Sequence, residues 1–255
     1  MLSHDHAHAW IERWDRQQEG YLPDREERFT ALIDAIETGR PDPVVIDLGC
    51  GPGSLSARLL NRLPDATVIA VDTDPLLLAL GRAEYDGLPG LRFVDRDLRI
   101  PGWTEALDLP RPADVAVSTT ALHWLPEDQL KNVYAELAGA LRPGGMFLNG
   151  DHLAVADTAP RLDALERALG ARAAERLFAE DPPEDWASWW AAVSADPEFE
   201  ALNLDRDRRK ASAGHHGSES GLLSTHVNAL RAAGFTEIGA LWQRGNDRLL
   251  CALLS

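Results

Sequence analysis

Apolar positions along the chain follow two alternating periods. Short runs of β-branched and aliphatic residues, typical of buried strands, alternate with segments in which apolar residues recur every three to four positions, as on one face of a helix. The predicted strands are 44–48, 67–71, 91–94, 115–118, 146–150, 235–242 and 249–254. The predicted helices are 25–38, 55–63, 75–82, 128–141, 162–178 and 225–233.

This alternation determines the expected fold class. Strands separated by helices are joined by right-handed crossovers and form a parallel sheet. The last two strands are separated only by the turn at 245–247, so they are expected to pair as an antiparallel hairpin. We therefore predict an α/β fold: a Rossmann-like, doubly wound, mostly parallel seven-stranded sheet with an antiparallel last strand and a helical cap.

The alternation stops near residue 152 and returns near residue 222, which indicates an insertion. We predict an N-terminal helical cover, a Rossmann-like core, a helical cap or lid, and a C-terminal core helix with strands; their bounds are 1–40, 41–152, 153–221 and 222–255. Residues 1–20 are polar with a weak helical signal. Residues 205–221 contain few apolar side chains and are predicted to form a loop.

Charge and cysteine content limit which binding partners and which cellular compartment are expected. The 41 acidic and 25 basic residues give a formal net charge of −16, which argues against nucleic acid or an anionic membrane as a partner. Cys50 and Cys251 offer neither a disulfide framework nor zinc-ligand spacing, which fits a reducing compartment. The sequence has no apolar run long enough to span a membrane and no signal peptide, so a cytoplasmic location is predicted.

The run V-V-I-D-L-G-C-G-P-G-S at 44–54 indicates a ligand site. Glycines between a first strand and a first helix let backbone N–H groups approach a nucleotide-like ligand. The spacing is G-x-G-x-G, whereas dinucleotide sites favour G-x-G-x-x-G. Asp47, two residues before the first glycine, would repel a pyrophosphate and suits a ligand with a cationic end.

The run D-L-G-C-G-P-G at 47–53 resembles motif I of the class I S-adenosylmethionine-dependent methyltransferases, in their small-molecule branch. Further runs resemble the later motifs in the family's order: V-I-A-V-D at 68–72, L-R-F-V-D-R-D-L at 91–98, D-V-A-V-S-T-T-A-L-H-W at 114–124 and L-R-P-G-G-M-F-L at 141–148. The resemblance covers about 44–152 and 222–254. It implies an enzyme that uses S-adenosyl-L-methionine as cofactor and methylates a small-molecule substrate.

The resemblance also implies which residues hold the cofactor. Asp72 would accept both ribose hydroxyls and Thr73 would lie against the adenine. Asp97 would accept the adenine amino group, with Asp95 as its rival, and Leu98 would offer its backbone N–H. The full predicted set is Asp47, Gly49, Cys50, Gly51, Gly53, Asp72, Thr73, Asp97, Leu98, Ser118 and Thr119.

A general base is expected above the cofactor when the acceptor carries a proton. The candidates are His123 after strand four, His152 after strand five beside Asp151, and Tyr21 before the first predicted helix. Each has a structural alternative: His123 as packing, His152 as a buried hydrogen-bonded side chain, and Tyr21 as an aromatic staple. Tyr21 is also expected as a lid residue that touches the carboxylate of the cofactor. Arg28 would meet the carboxylate of the cofactor, or form a surface ion pair.

The acceptor is less well defined by the sequence. Tyr21, Asp24 and His152 resemble a pattern of indole C3-methyltransferases, and the tryptophans at 186, 189 and 190 either pack in the core or line a flat substrate. Eight tryptophans favour an aromatic or apolar molecule, with C-, N- or O-methylation open. The A-L-H-W and L-P-E-D runs resemble the trans-aconitate-like branch, but no basic clamp for a tricarboxylate is evident.

Two other functions stay open: an NAD-type oxidoreductase on a similar fold, and a non-catalytic S-adenosylmethionine-binding protein. The run H-D-H-A-H at 4–8 has no rigid metal-binding geometry, so no metal site is predicted and the segment is expected to be disordered. His215 and His216 are expected in a solvated loop. A homodimer is kept as a hypothesis.

Overall fold

The structure is a computed structural model that describes residues 2–213 and 221–255, with only the backbone given for 210–213. The strands are β1 Val44–Leu48, β2 Thr67–Asp72, β3 Leu91–Asp95, β4 Ala113–Thr119, β5 Leu141–His152, β6 Phe235–Arg244 and β7 Asp247–Leu254. The helices are α1 His4–Tyr21, α2 Arg25–Glu37, α3 Ser54–Arg62, α4 Pro75–Glu84, α5 Glu127–Ala140, α6 Pro160–Phe178, α7 Trp186–Ala195, α8 Glu200–Ala213 and α9 Leu223–Ala232. Short 3₁₀ turns occupy Trp103–Leu107, Leu122–Trp124 and Pro197–Phe199.

The strands form one seven-stranded sheet in the order β3-β2-β1-β4-β5-β7-β6. Strands β1 to β5 are parallel, while β7 runs antiparallel to both of its neighbours, β5 and β6. The predicted fold is confirmed, including the antiparallel last strand. The strand order reverses between β1 and β4, and ligands of open α/β sheets bind beyond the strand ends at such a point.

The core lies on both faces of this sheet because the central parallel strands are apolar on both sides. Every residue of β1 is buried. Ile46 and Leu48 face a cluster that includes α5 and α9, whereas Val45 faces α2 and α3 on the other side. Successive β1 side chains therefore point into opposite layers and fix the strand between them.

The first 20 residues differ from the expectation, because His4–Tyr21 is a helix rather than a disordered segment. Ser3 caps it, and Ala7, Trp10, Ile11 and Trp14 form its buried face against α4 and α7. Its polar histidines misled the prediction, since they are paired with acids: the His8 Nδ1 lies 2.8 Å from Glu84. The helical spacing of the buried residues was present in the sequence.

Residues 205–213 also differ from the predicted loop, because they continue helix α8. This helix has few apolar residues, and ion pairs to other elements stabilise it: Arg206 pairs with Asp74 and Arg209 pairs with Asp95. The loop predicted around His215 and His216 lies outside the described residues. The four-part domain division remains a prediction, with α1 and α2 within 1–40 and α6 to α8 within 153–221.

In the described ranges, every helix is too short or too polar to cross a lipid bilayer. The cytoplasmic location remains a prediction.

Candidate active site

The three glycines of the loop after β1 have the same backbone conformation but different surroundings. Gly49, Gly51 and Gly53 have φ values of 68°, 55° and 89°, which favour glycine. A Cβ on Gly49 would overlap Ala121, and one on Gly53 would lie 2.7 Å from the Phe93 ring. At Gly51 the nearest atom would be on Trp14, 3.6 Å away. Packing within the protein therefore excludes a Cβ at Gly49 and Gly53, whereas at Gly51 a Cβ would make only ordinary van der Waals contacts.

Asp72 ends β2 beside this loop. Its carboxylate accepts the backbone N–H of Gly51 at 2.8 Å and those of Thr73 and Asp74 at 2.7 and 2.8 Å. Burial nevertheless raises the pKa of Asp72 to about 6, because desolvation disfavours the charged carboxylate. Each oxygen keeps acceptor capacity for a ligand hydroxyl. The arrangement suits the bidentate binding of a ribose.

Asp47 lies deeper at the end of β1. It accepts a hydrogen bond of 2.6 Å from the Ser56 hydroxyl, and burial raises the pKa of Asp47 to about 7. The charge of the Asp72 carboxylate also acts to raise the pKa of Asp47. An approaching cation would favour the ionised form of both groups, and the role of Asp47 beside a cationic ligand remains a prediction.

A cavity of about 1130 Å³ opens over these strand ends. It exceeds the typical range of about 300–1,000 Å³ for small-ligand pockets, so a nucleoside and a second small molecule fit together. Most predicted site residues line it: Tyr21, Asp47, Gly49, Cys50, Gly51, Asp72, Thr73, Asp97, Thr119, His123 and His152.

Three predicted cofactor-binding residues do not line the cavity, each for a packing reason. Gly53 lies against the Phe93 ring at the start of α3. Leu98 packs against the main hydrophobic cluster. The buried Ser118 hydroxyl donates to the carbonyl of Leu48, so it joins two strands.

Asp97 and its rival Asp95 both line the cavity, and both are paired with arginines. Asp97 accepts from the side chain and the backbone N–H of Arg99. Burial acts to raise the pKa of Asp97, but the Arg99 hydrogen bonds outweigh it, and the pKa is lowered. Asp95 instead pairs with Arg209 of α8. Asp97 therefore stays ionised, and its role as an acceptor for the adenine remains a prediction.

His123 and Asp151 form a close pair at the ends of β4 and β5. The His123 Nδ1 lies 2.9 Å from both oxygens of Asp151, and the buried Asp151 also accepts the backbone N–H of His152. Burial acts to raise the pKa of Asp151, whereas the hydrogen bond and charge of His123 lower it more. Because an ionised carboxylate only accepts, the proton lies on Nδ1 and the ring's Nε2 is left for a ligand.

The other two base candidates lack such an orienting partner. Burial lowers the pKa of His152, and among the described residues its ring has no hydrogen-bond partner. The Tyr21 hydroxyl accepts the backbone N–H of Trp186 at 3.0 Å, and the side chain is half exposed. Tyr21 therefore links α1 to α7 across the cavity.

A family model described as a methyltransferase domain matches residues 45–145. Residues 45–145 thus form a methyltransferase domain. Together with the relatives below, this match confirms the resemblance to the S-adenosylmethionine-dependent methyltransferases. The matched range runs from β1 to β5 and contains the glycine loop with Asp72 and Asp97.

Curated relatives match the chain at moderate identity. A trans-aconitate 2-methyltransferase of Azoarcus sp. (strain BH72) is 36% identical over 136 residues, covering 52% of this chain and 49% of the relative. One of Sinorhizobium medicae (strain WSM419) is 30% identical over 177 residues, covering 66% and 64%. The chain spans about half the length of the first of these relatives.

Solved structures share the fold of the methyltransferase domain. Human N-acetylserotonin methyltransferase in complex with SAM has a TM-score of 0.54 at 15% identity, covering 95% of this chain and 56% of that one. An O-methyltransferase family protein from Burkholderia thailandensis has a TM-score of 0.54 at 17% identity, covering 98% and 70%. At these identities the likeness concerns the fold alone.

Several cavity residues of the methyltransferase domain and its helical cover were missed by sequence reasoning. Arg25, rather than Arg28, lines the cavity, while Arg28 is fully buried and donates to Asp247 at 2.5 Å. Residues three apart in a helix lie on neighbouring faces, so the sequence could not tell which of the two arginines faces the cavity.

Thr120 also lines the cavity and was not predicted. It is a non-glycine residue with φ of 49°, and backbone strain of this kind often marks functional sites.

The tryptophan cluster is divided between the core and the cavity, and its contact with a flat substrate remains a prediction. Trp189 is fully buried, with its ring 5.0 Å from Trp14 and 5.6 Å from Trp10. Trp186 and Trp190 line the cavity. By contrast, Asp24 pairs with Arg244 and lines a separate pocket, so it does not join Tyr21 and His152. The indole C3 hypothesis is not confirmed.

Proposed function

We propose that the protein transfers a methyl group from S-adenosylmethionine to a small organic molecule. The observation that carries this proposal is the glycine loop after β1, where Gly49 and Gly51 line the cavity and the Gly51 N–H donates to the Asp72 carboxylate at 2.8 Å. Without side chains on these glycines, a ligand can lie against the backbone of the loop. S-adenosylmethionine is the cofactor of this class of domain.

The cavity residues match the parts of that cofactor. Asp72 would hold the ribose hydroxyls, Thr73 would lie against the adenine, and Asp97 would accept its amino group. Asp47 and the backbone of Gly49 and Cys50 would face its cationic end. The buried Arg25 guanidinium pairs with Asp15, and within the described part of the chain its Nη1 makes no hydrogen bond, which suits the cofactor's carboxylate.

The bound cofactor supplies a methyl group on a positively charged sulfur, which is reactive without further activation. The protein therefore has two tasks: to align the acceptor with that methyl and to exclude water. Positioning of this kind contributes up to roughly 7–11 kcal/mol of barrier lowering. The roof formed by Trp14, Tyr21 and Trp186 would serve both tasks.

Two acceptor classes have support. The relatives' name favours a carboxylate of a small organic acid, whose oxygen needs no base. The tryptophan-lined cavity favours an aromatic or apolar acceptor. An oxidoreductase that uses NAD is disfavoured, because Asp47 would lie beside its pyrophosphate and the glycine spacing is G-x-G-x-G. Homodimer formation remains a hypothesis.

Calorimetry with S-adenosylhomocysteine and with NADH tests the cofactor. We expect binding of the first and none of the second. Gly51→Ala should weaken binding several-fold, since the added methyl takes room beside the loop backbone at a cost on the order of 1 kcal/mol, while the left-handed strain is common to the free and bound protein. Gly87→Ala is the matched control, because Gly87 has φ of 76° and an added Cβ there would meet no atom of the described residues within 4 Å.

A second measurement tests catalysis. The protein is incubated with methyl-labelled S-adenosylmethionine and a panel of organic acids, phenols and amines, and transferred label is counted. Transfer to any of them supports the enzyme. Tight binding of S-adenosylhomocysteine with no transfer supports the non-catalytic alternative, and NADH binding at the glycine loop would refute the proposal.

A further inference from the structure

We propose that helix α6 is the interface of a two-fold dimer, in which it packs against α6 of a second copy of this chain. The inference goes beyond methyl transfer and does not depend on it. Three features of α6 support it: the polar face that it buries, the leucines that it leaves exposed, and the charges at its two ends.

The face of α6 that packs against the protein is polar, whereas a surface helix usually buries an apolar stripe. Its buried positions are Asp163, Glu166 and Ala173. The Asp163 carboxylate accepts a backbone N–H at 3.0 Å, and both oxygens of Glu166 accept from the buried Arg248, at 2.6 and 2.7 Å. Hydrogen bonds and a buried ion pair therefore hold α6 in place, and its leucines are not used for this packing.

Three leucines of α6 are exposed in a row, and we call them the leucine stripe. Leu162, Leu165 and Leu169 have exposed fractions of 50%, 56% and 50%. Their spacing of three and then four residues places them along one side of the helix. Helices that pack lengthwise against each other use apolar residues at this spacing. The leucine stripe therefore has the pattern of a helix-packing seam, but it is left uncovered.

Exposed large apolar side chains are concentrated in the cavity and on α6. In the described ranges there are ten of them, and four line the cavity, where a ligand would cover them: Tyr21, Ile100, Trp124 and Trp186. Four of the other six are leucines of α6, namely the leucine stripe and Leu177. Such a concentration of exposed apolar residues marks an interaction surface. Because the stripe lies outside the cavity lining, a cofactor or acceptor bound in the cavity does not account for it.

The charges beyond the two ends of the leucine stripe favour a second copy of the chain as the partner. On its C-terminal side the stripe continues with Arg172 and Arg176, and within the described residues neither forms an ion pair. On its N-terminal side lies the exposed Asp157, which accepts the Ser224 hydroxyl but is not paired with a cation in the described part of the chain. In a two-fold dimer each contact occurs twice. An antiparallel pair centred on Leu165 therefore brings the arginines of each copy to the aspartate of the other.

The distances along α6 fit this arrangement. Arg172 and Arg176 lie about 10 and 16 Å from Leu165, at 1.5 Å per residue. In the other direction the helix begins at Pro160, about 8 Å from Leu165. Asp157 precedes Pro160 by three residues, which add up to about 10 Å. The aspartate of one copy and the arginines of the other therefore lie at matching distances from the two-fold axis.

The size of the contact indicates a reversible dimer. Helix α6 has 19 residues and is about 28 Å long. A pair of helices of this length buries on the order of 1,000 Å², which is close to the lower limit for a specific interface, so we expect a Kd in the micromolar range.

A lipid surface fits this face of the molecule less well. A flat anionic membrane would also meet the acidic surface around α6, and the net charge of −16 opposes that contact. A second copy contacts α6 alone, and repulsion between the other charges is screened over about 8 Å at physiological salt.

Sedimentation velocity between about 1 and 500 µM protein, a range that brackets a micromolar Kd, tests the dimer. Wild type should change from monomer to dimer with concentration. Leu165→Glu should raise the dimer Kd at least about a hundredfold, because two leucines are no longer buried and two carboxylates oppose each other at the axis. Leu204→Glu is the matched control, since Leu204 is a 58% exposed leucine on α8. Both variants should keep the Tm of the wild-type monomer, which shows that the fold is intact.

Charge variants test the two-fold, antiparallel arrangement. Asp157→Arg alone, and Arg172→Glu combined with Arg176→Glu, should each weaken self-association about tenfold, because like charges replace the ion pairs at both ends. An equimolar mixture of the two variant proteins should associate as tightly as wild type, because the changes complement each other across the interface.

Each other outcome overturns the inference. Wild type that stays monomeric over the whole range does so, and so does a dimer that Leu165→Glu leaves intact. Charge variants that do not associate with each other contradict the antiparallel pairing. Cosedimentation of monomeric wild type, but not of Leu165→Glu, with vesicles of phosphatidylcholine and phosphatidylglycerol would assign the leucine stripe to lipid instead.

Discussion

Gly49, Gly51 and Gly53 share a left-handed backbone, yet only Gly51 has room for a Cβ without a clash. Their spacing indicated a ligand loop, but the sequence could not assign separate roles to them. The assignment depends on Ala121 and Phe93, which belong to distant parts of the chain. The spacing of the glycines therefore predicts a ligand loop. Which glycine has room for a ligand depends on the residues that pack against each of them.

Asp47 provides a residue-scale prediction for stability against pH. Burial raises the pKa of Asp47 from 3.8 to about 7. The folded state thus keeps a proton that the unfolded state loses near pH 4, so this contribution to stability is present below that pH and is lost as pH rises through about 7. Asp47→Asn should remove this loss, which is a few kcal/mol at roughly 1.4 kcal/mol per pKa unit.

Urea unfolding of wild type and Asp47→Asn at pH 5 and pH 8 measures the effect. The variant should lose less unfolding free energy between the two pH values. Asp65→Asn is the control, because Asp65 is exposed between α3 and β2. Equal losses in wild type and Asp47→Asn would contradict the assignment of a buried, protonated carboxyl group.

At the scale of a single element, the polar residues of helix α1 made its helical periodicity hard to recognise in the sequence. Its buried positions recur at three- and four-residue intervals, but histidines at 4, 6 and 8 made the segment look unstructured. Pairing with Glu84 and Asp196 satisfies two of them. Tertiary partners for polar groups are invisible in a sequence, so the helix was missed although its period was present.

Trp10→Ala should detach α1 from α7. The Trp10 ring packs on Trp189 and Phe199, and its Nε1 donates to Asp196 at 3.2 Å. Truncation of a buried tryptophan costs about 3–5 kcal/mol. We expect faster hydrogen exchange in α1 and weaker S-adenosylhomocysteine binding, because α1 carries Trp14 of the roof. Glu12→Ala, on the exposed face of the same helix, should change neither measurement.

Helix α8 gives a second prediction for an element. Arg206 lies 3.2 Å over the Trp190 ring and pairs with Asp74, while Arg209 reaches Asp95 and the carbonyl of Thr73. These contacts hold α8 over the ends of β2 and β3. Arg206→Gln combined with Arg209→Gln should speed S-adenosylhomocysteine dissociation several-fold, because two partly exposed ion pairs worth about 0–1 kcal/mol each no longer hold α8 at the cavity.

Stopped-flow tryptophan fluorescence follows this dissociation. Wild type should approach the double variant at high salt, since partly exposed pairs are screened. Arg208→Gln is the matched control, because Arg208 lies on the same helix and is 76% exposed. An equal change in Arg208→Gln would show that α8 acts through its helicity and not through the two ion pairs.

At the scale of the whole molecule, the cavity joins elements from distant parts of the chain. Its lining comes from α1, the strand ends, the turn after β4, and helices α7 and α8. A ligand bound there contacts several of them at once and stabilises the folded state against the unfolded one. Cofactor binding is therefore expected to appear as a shift in the thermal unfolding of the entire domain.

S-adenosylhomocysteine at about one hundred times its Kd should add about 2.7 kcal/mol of stability and raise Tm by roughly 5–10 °C in a protein of this size. Differential scanning calorimetry measures it. Gly51→Ala should shift less at the same concentration, whereas Gly87→Ala should match wild type. No shift in wild type at saturating ligand would contradict a site built from so many elements.

The sequence by itself determined the layers, the parallel core, the antiparallel hairpin and the strand ends that carry Asp47, Asp72 and Asp97. Periodicity and glycine spacing are local properties, so they can be recognised in the sequence without knowing which residues pack against them. Only the tertiary structure decided that Asp151 holds His123, that Arg25 rather than Arg28 faces the cavity, and that α8 is a helix. Each of these depends on a partner distant in sequence, whose position follows from packing and not from local pattern.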